Sequence, residues 1–378
     1  MRVLVVNSGS SSLKYRLLDL GAGTTVAGGL VERIGEAGSD VADHAAALAL
    51  VVTRLRDDGA LDAGVDAVGH RVVHGGERFS APVVVDDAVA AAVRELAPLA
   101  PLHNPPNLLG IEAARAAFPG VPQVAVFDTA FHQSMPPAAY TYAIPRDLAR
   151  RHGIRRYGFH GTSHRYVARV AAGVLGRPAD AVDLVTLHLG NGASACAVRA
   201  GRSVDTSMGL SPLEGLVMGT RSGDVDPAVV FHLVSDAGLA PDEVDGLLNR
   251  ASGLRGLAGA NDLREVHRRA SSGDRDAALA LDVYGHRLRK YVGAYLAVLG
   301  GADAVVFTGG VGENDPDVRH RAVGGLDRLG VVLDEAANAA VRGPGRPVDV
   351  AAAGSSCRVL VIPTDEEREI AEQAAGLL

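Results

Sequence analysis

Arg2-Val3-Leu4-Val5-Val6-Asn7-Ser8-Gly9-Ser10-Ser11-Ser12-Leu13-Lys14-Tyr15-Arg16-Leu17-Leu18 opens the chain. A β-branched apolar run stops at a Gly and Ser turn and then resumes, which reads as strand, polar turn and strand. The same plan recurs at His188-Leu189-Gly190-Asn191-Gly192-Ala193-Ser194-Ala195, where a strand end runs into a small polar turn before a second apolar stretch. Two halves built on one plan are the expectation. Further β-rich runs at 65–73, 121–127, 183–189, 304–307 and 358–362 alternate with helical patterns at 86–96, 106–117, 164–175, 277–299 and 365–377. That alternation predicts an α/β fold. Between Phe127 and Gly161 the composition shifts to Pro136, Pro137, Pro145 and a cluster of Arg, the place for a domain boundary or hinge.

The chain has 378 residues, two to three ordinary domain lengths, with 47% hydrophobic and 21% charged side chains, a globular balance. Its longest apolar stretch, around Ala45 to Val52, falls far short of the roughly 18 residues of a spanning helix. The apolar run at the N-terminus ends too soon for the core of a secretory signal, so a cytoplasmic address is expected. Lys and Arg number 37 against 44 Asp and Glu, no basic block stands out, and Trp is absent. Neither a phosphate-tracking stripe nor stacking platforms are available, so nucleic acid is not an expected partner. Cys196 and Cys357 are the only cysteines. They are read as small buried apolar residues rather than as a disulfide framework or a zinc site.

Several short motifs carry chemistry-bearing groups. Ser8 to Ser12 with Lys14 offers backbone N–H groups and hydroxyls suited to a phosphate, although neither a Walker nor a Gly-x-Gly-x-x-Gly spacing is present. Alone, such a feature is more often just a turn. Gly69-His70-Arg71-Val72-Val73-His74-Gly75-Gly76 puts Arg71 at a strand end, where α/β sheets present ligands. Asp128 closes the strand ending at Phe127 and could orient a cation or cap a helix. Phe159-His160-Gly161-Thr162-Ser163-His164 places His160 at a helix start, fit to donate to developing negative charge or simply to cap. A zinc site at His160 and His164 lacks a third ligand. Met218-Gly219-Thr220-Arg221-Ser222-Gly223-Asp224 supplies a second Arg among small residues, and Thr308-Gly309-Gly310-Val311-Gly312-Glu313-Asn314 reads as a Gly-rich turn open to a phosphate or a flat ligand. Taken together, two small-residue turns, two arginines, two histidines and the carboxylates Asp128 and Glu366 form the set that phosphoryl transfer needs.

Asn7 to Lys14 and Gly69 to Gly76 resemble the two signatures of the acetate kinase family. The likeness continues through Pro101-Leu102-His103-Asn104-Pro105-Pro106, the Phe127, Phe159, His188, Met218 and Gly310 motifs, and Pro363-Thr364-Asp365-Glu366-Glu367. The resemblance implies an α/β fold of two duplicated ribonuclease H-like (actin-like ATPase) domains around a central cleft, usually in a homodimer. The first domain would hold residues 1–128 and 366–378, and the second residues 129–365. The implied function is reversible Mg²⁺-dependent transfer of the ATP γ-phosphoryl group to acetate, giving acetyl phosphate and ADP, with Mn²⁺ able to substitute. By the same resemblance Arg71, Asp128, His160 and Arg221 would be catalytic, and Arg71, Val73, Leu102, Phe159 and Pro212 would bind the acid. Lys14, His188, Leu189, Gly190, Asn191, Gly192, Asp262, Leu263, Arg264, Gly310, Val311, Gly312, Glu313 and Asn314 would contact ATP, with His103 a further contributor. Asn7 and Glu366 would hold the metal. Leu263 replaces a frequent aromatic residue beside the base, and Gly309 a usual Ala. Rival readings are a propionate or butyrate kinase, a nucleotide-binding module without catalysis, which would need neither arginine, and a zinc hydrolase.

Overall fold

Strand β1 (Arg2–Ser8) explains the fold from its own alternation. Leu4 and Val6 join one core with Leu13, Leu17, Leu48, Val51, Leu55 and Ala114, while Val3 and Val5 join another with Ala67, Val124, Val126, Ile370 and Ala374. Both faces of the strand are covered, so it reads as a continuous apolar run and not as an alternating one. Helices His44–Asp57 and Asn104–Ala117 cover the first face and the C-terminal helix Glu366–Ala375 covers the second.

The computed structural model describes all residues, 1–378, as two compact units. The first comprises Met1–Gln133, Gly161–Ser163 and Asp365–Leu378, and the second Ser134–His160 and His164–Thr364. In the first, β1 pairs antiparallel with β2 (Ser12–Asp19), which pairs antiparallel with β3 (Thr24–Glu32). On its other side β1 runs parallel to β4 (Ala67–Val72), and β4 parallel to β6 (Gln123–Phe127), with β5 (Val83–Val84) antiparallel at the edge. The order is β3-β2-β1-β4-β6-β5.

The second unit repeats this scheme. β7 (Asp183–Leu189), β8 (Ala193–Arg199) and β9 (Arg202–Thr206) form the antiparallel meander, β10 (Ala304–Thr308) and β12 (Arg358–Val361) run parallel, and β11 (Val348–Asp349) closes the edge antiparallel. Its order is β11-β12-β10-β7-β8-β9, the same connectivity as the first. The duplication expected from the Ser8 and Gly190 turns is thus a duplication of whole sheets, with both turns at the matching β1–β2 and β7–β8 corners.

Helix Arg275–Leu299 packs on β7 and β8. It starts at Asp274, whose carboxylate accepts from the backbone of Asp276 and Ala277, and stops at Gly300 in the left-handed region. Cys196 and Cys357 are buried and form no disulfide, and burial pushes both thiols up to about 12. No helix is long and apolar enough to cross a membrane.

Two buried histidines lie at the end of β4, His70 on the strand and His74 two residues beyond it. His70 Nε2 lies 2.8 Å from Gln123 Oε1, and burial lowers its pKa to about 4. His74 is held near 4 by the same cause, its Nδ1 accepting from the Gly76 backbone at 3.0 Å. An unfolded histidine takes up its proton near pH 6.5, so the unfolded chain binds more protons between pH 6.5 and 4. The stability from these residues is complete above pH 6.5 and is lost as pH falls toward 4, by about 2 kcal/mol per histidine at pH 5. Urea titrations should show a lower midpoint at pH 5 than at pH 7, with a smaller drop in His70→Gln; equal drops in both proteins would contradict neutral burial of His70.

Candidate active site

Pairing of β1 with β4 stops at Val6 and His70. Asn7 and Arg71 are the next residues on the two strands, and Arg71 Nη1 lies 3.5 Å from Asn7 Oδ1. The adjacent β6 ends at Phe127, so Asp128 emerges beside them and accepts from Arg71 Nη2 at 2.5 Å. Its other carboxylate oxygen accepts from Thr162 Oγ1 at 3.0 Å, and the Asp128 backbone carbonyl accepts from Gly161 at 3.0 Å. Burial disfavours the Arg71 cation, but Asp128, then Glu366, outweigh it and raise its pKa, so the guanidinium stays charged.

Glu366 opens the C-terminal helix. Burial pushes its carboxyl up to about 7; Arg71 pulls it down, and Asp128 and Glu367 add repulsion. The Asn7 amide oxygen and the Glu366 carboxylate are hard oxygen donors, and Mg²⁺ uses few protein oxygens, completing its shell with water and substrate phosphate. The donor set therefore fits that ion, whose charge would relieve a crowded carboxylate.

Other expected residues take different places in this unit. Lys14 stands opposite Asn7 in the β1–β2 register, and its Nζ reaches Glu367 Oε1 at 2.5 Å, so it belongs to this acidic corner. Val73 is buried, whereas Leu102 is 61% exposed on the turn before helix Asn104–Ala117. His103 is the residue preceding that helix.

The second unit holds the remaining groups. His160 adopts φ of 57°, unusual for a residue with a side chain, at the start of helix Gly161–Val174. Its Nδ1 is 2.9 Å from Ser194 Oγ, and its ring lies 4.4 Å from that of His188. His164 is fully buried between Thr186 Oγ1 at 2.7 Å and Ser194 Oγ at 2.8 Å, a structural histidine. A Cβ added to Gly192 would stand 3.4 Å from Arg221 Nη2 and 3.5 Å from His160 Nε2, so cation and imidazole flank one glycine.

Arg221 donates to the Pro212 carbonyl at 2.8 Å and to Met218 Sδ at 3.5 Å, with no carboxylate paired to it; burial lowers its pKa. A half-buried, uncompensated guanidinium is a site for an anion. The loop that carries it, 207–226, has neither helix nor strand. Arg156 ties it down by donating to the Thr206, Ser207 and Met208 carbonyls at 2.9, 3.1 and 3.0 Å and by pairing with Glu214, which also accepts from the Tyr142 hydroxyl. Asp224 accepts from Gly215 N and Tyr291 Oη, each at 2.9 Å. Sequence reading missed Arg156 and Glu214, although the Arg cluster before Gly161 was a signal, and it had Asp224 only as a carboxylate in the Arg221 motif. Phe159 is buried and Pro212 half-buried.

A pocket of about 790 Å³ lies within this unit, lined by Gly190, Asn191, Asp262, Leu263, Arg264, Gly310, Val311 and Asn314 of the expected ATP contacts. Leu254, Asn261, Asp315 and Arg342 line it too and were not foreseen. Gly309–Asn314 is a short helix, where the sequence reading had a turn. Gly309 adopts φ of 78°, and a Cβ there would fall 2.7 Å from the Leu189 carbonyl, which accounts for glycine at this position. Glu313 is turned to structural use, accepting from Gly309 N at 2.9 Å and Thr364 N at 3.0 Å. Leu189 and Gly312 are buried behind the wall.

Comparison with known proteins agrees with this geometry. The model of the acetokinase family matches residues 2–372. The acetate kinase of Leifsonia xyli subsp. xyli is 59% identical over 98% of this chain and 98% of its own length. That of Streptomyces avermitilis is 57% identical over 100% of this chain and 97% of its own. Among solved structures, Porphyromonas gingivalis acetate kinase gives a TM-score of 0.95 at 44% identity, covering 100% of this chain and 99% of that one. A propionate kinase from Francisella tularensis subsp. tularensis gives 0.93 at 38% identity, with 100% of both chains covered. The actin-like fold class implied by the motifs agrees with the repeated strand order, and the chain belongs to the acetokinase family.

Proposed function

We propose that this member of the acetokinase family, a phosphotransferase with a carboxyl group as acceptor, is an acetate kinase. It would transfer the γ-phosphoryl group of ATP to acetate, reversibly and directly, giving acetyl phosphate and ADP. The observation that carries the reading is Arg221, a half-buried guanidinium without a carboxylate, in the unit that also offers a nucleotide-sized pocket. A catalytically silent nucleotide-binding module would have no use for a cation left uncompensated at such desolvation cost. Relatives named acetate kinase at 55–59% identity favour acetate over propionate or butyrate, since the propionate kinase structure stands at 38%.

The chemistry asks little of the protein beyond positioning and charge. A carboxylate is already ionised at neutral pH, so no general base is needed. One of its oxygens attacks the γ-phosphorus in line, the bond to the β–γ bridging oxygen breaks, and ADP leaves with the electron pair. Arg71 and Arg221 would hold the carboxylate and the equatorial phosphoryl oxygens, and His160 would donate to the same charge. Asp128 would keep Arg71 aimed. Asn7 and Glu366 would hold Mg²⁺, which neutralises phosphate charge as it develops. Val73, Leu102, Phe159 and Pro212 would receive the methyl group, and the pocket-lining residues of the second unit the nucleotide. No residue of helix Pro227–Ser235 is buried, and Phe231 is 69% exposed there, a surface suited to the homodimer that the family resemblance implies. A cytoplasmic address belongs to the same proposal.

Purified protein supplied with Mg·ATP and acetate, propionate or butyrate in turn, with acyl phosphate trapped as its hydroxamate, should give most product with acetate. One added methylene should cost about 1–3 kcal/mol in kcat/KM. A longer acid performing best would overturn the substrate, and no product with any acid would overturn the reaction. Arg71→Ala and Arg221→Ala should each lower turnover on the order of 10³-fold while nucleotide affinity changes little; near-normal turnover in both would contradict their assignment.

A further inference from the structure

The ladder between β1 and β4 ends one residue short of Asn7 and Arg71, so although each still pairs with its outer neighbour, no rung joins these two residues to each other. What spans the gap is a side chain from helix Asn104–Ala117. Asn107 Nδ2 donates to the Ser8 carbonyl at 2.6 Å, and Asn107 Oδ1 accepts from Val73 N at 3.0 Å. Ser8 follows Asn7 on β1, and Val73 lies two residues beyond Arg71 on the other strand. One amide thus replaces the missing rung, and it is only 3% exposed.

The surroundings are built for that bridge. Asn104, one turn earlier and fully buried, accepts from His74 N at 3.1 Å and donates to the His74 carbonyl at 3.0 Å, continuing the grip along the same segment. Thr129 Oγ1 accepts from Gly75 N at 2.9 Å. Gly110 allows the helix to lie against β1, because a Cβ there would stand 2.0 Å from Ser8 Oγ. The His103-Asn104-Pro105-Pro106-Asn107 stretch, which the catalytic roles leave largely unused, therefore has a purpose: Pro105 and Pro106 start the helix, and the two asparagines face the strand ends.

We propose that Asn107 is a positioning residue for the transfer, clamping the ends of β1 and β4 beyond their last shared rung so that Asn7 and Arg71 keep the spacing the reaction requires. This rests on the acetate kinase reading for its kinetic consequences, and on geometry alone for the clamp. Loss of the amide leaves the Ser8 carbonyl and the Val73 N–H buried without their partner, and the strand ends gain freedom.

The test is Asn107→Ala, with Asn107→Ser as a second variant should the first fold poorly, and exposed Glu112→Gln on the same helix as control. Amide hydrogen exchange should accelerate at least tenfold at Val73 while His70 remains as slow as in the parent protein. In steady-state assays the KM for acetate and the Mg²⁺ concentration giving half-maximal rate should each rise about five- to tenfold, with nucleotide affinity measured without acetate unchanged. Unchanged exchange at Val73 would overturn the clamp. Accelerated exchange with both constants at their parent values, or a fall in rate that merely follows the folded fraction, would overturn the positioning role and leave a structural one. A parent protein without turnover on any acid would overturn the acetate kinase reading instead, while the exchange result would still decide the clamp.

Discussion

A guanidinium held at a sheet's open end by a buried carboxylate is the constraint on which the first unit depends. Arg71 and Asp128 come from neighbouring parallel strands: Arg71 follows the last rung between β1 and β4 while still pairing with β6, and Asp128 follows the last rung between β4 and β6. Neither charge would be tolerated alone at that depth, but paired they cancel much of the desolvation penalty. Asp128 is itself over-determined, by Thr162 on one oxygen and Arg71 on the other, with its backbone N–H donating to Val72. The cost of placing the pair is met by β1, β4 and β6, whose apolar residues are buried on both faces. The buried sheet thereby holds a cation at its open end.

The second unit uses the same strand order for a different end. Its β7–β8 corner carries Gly190 to Gly192, and the helix after β10 begins with glycines, so at Gly190 and Gly310 backbone forms part of the pocket wall. Arg221 sits on an irregular loop, and the stiffness that a strand gives Arg71 is supplied there by Arg156, Glu214, Asp224 and Tyr291. One topology thus presents a cation in two ways, from a strand end and from a loop tied by a part-buried ion pair and its hydrogen bonds.

The sequence disclosed the elements whose physics is local. β1, β2, β7 and β10 are apolar runs ended by small residues, and Arg275–Leu299 has a capping Asp, a long periodic face and a terminal glycine. β3 escaped because Gly28 and Gly29 interrupt it and most of its side chains face solvent, leaving no alternation to read. Helix His44–Asp57 was visible only as an apolar stretch. Arg71, Asp128, His160 and Arg221 could be singled out because they occupy strand ends, a helix start or a run of small residues, whereas Asn7 came only from the family resemblance. Arg342 in the pocket wall and Asn107 at the strand ends could not, since their roles arise from contacts between segments far apart in the chain, which no spacing records. Lys14 and Glu313 were legible as polar groups, but only the structure turns one toward Glu367 and folds the other back on its own helix.

The most direct measurement is the kinetics of Asp128→Asn, which keeps the side chain's shape and an oxygen for Arg71 but removes the charge. If the pair at the end of β4 and β6 is what aims the cation, turnover with acetate falls at least about 10²-fold, the KM for acetate rises, and nucleotide affinity is unchanged. Turnover and KM near those of the parent protein would show that Arg71 is aimed by something else, and the account of the site would fail at its foundation.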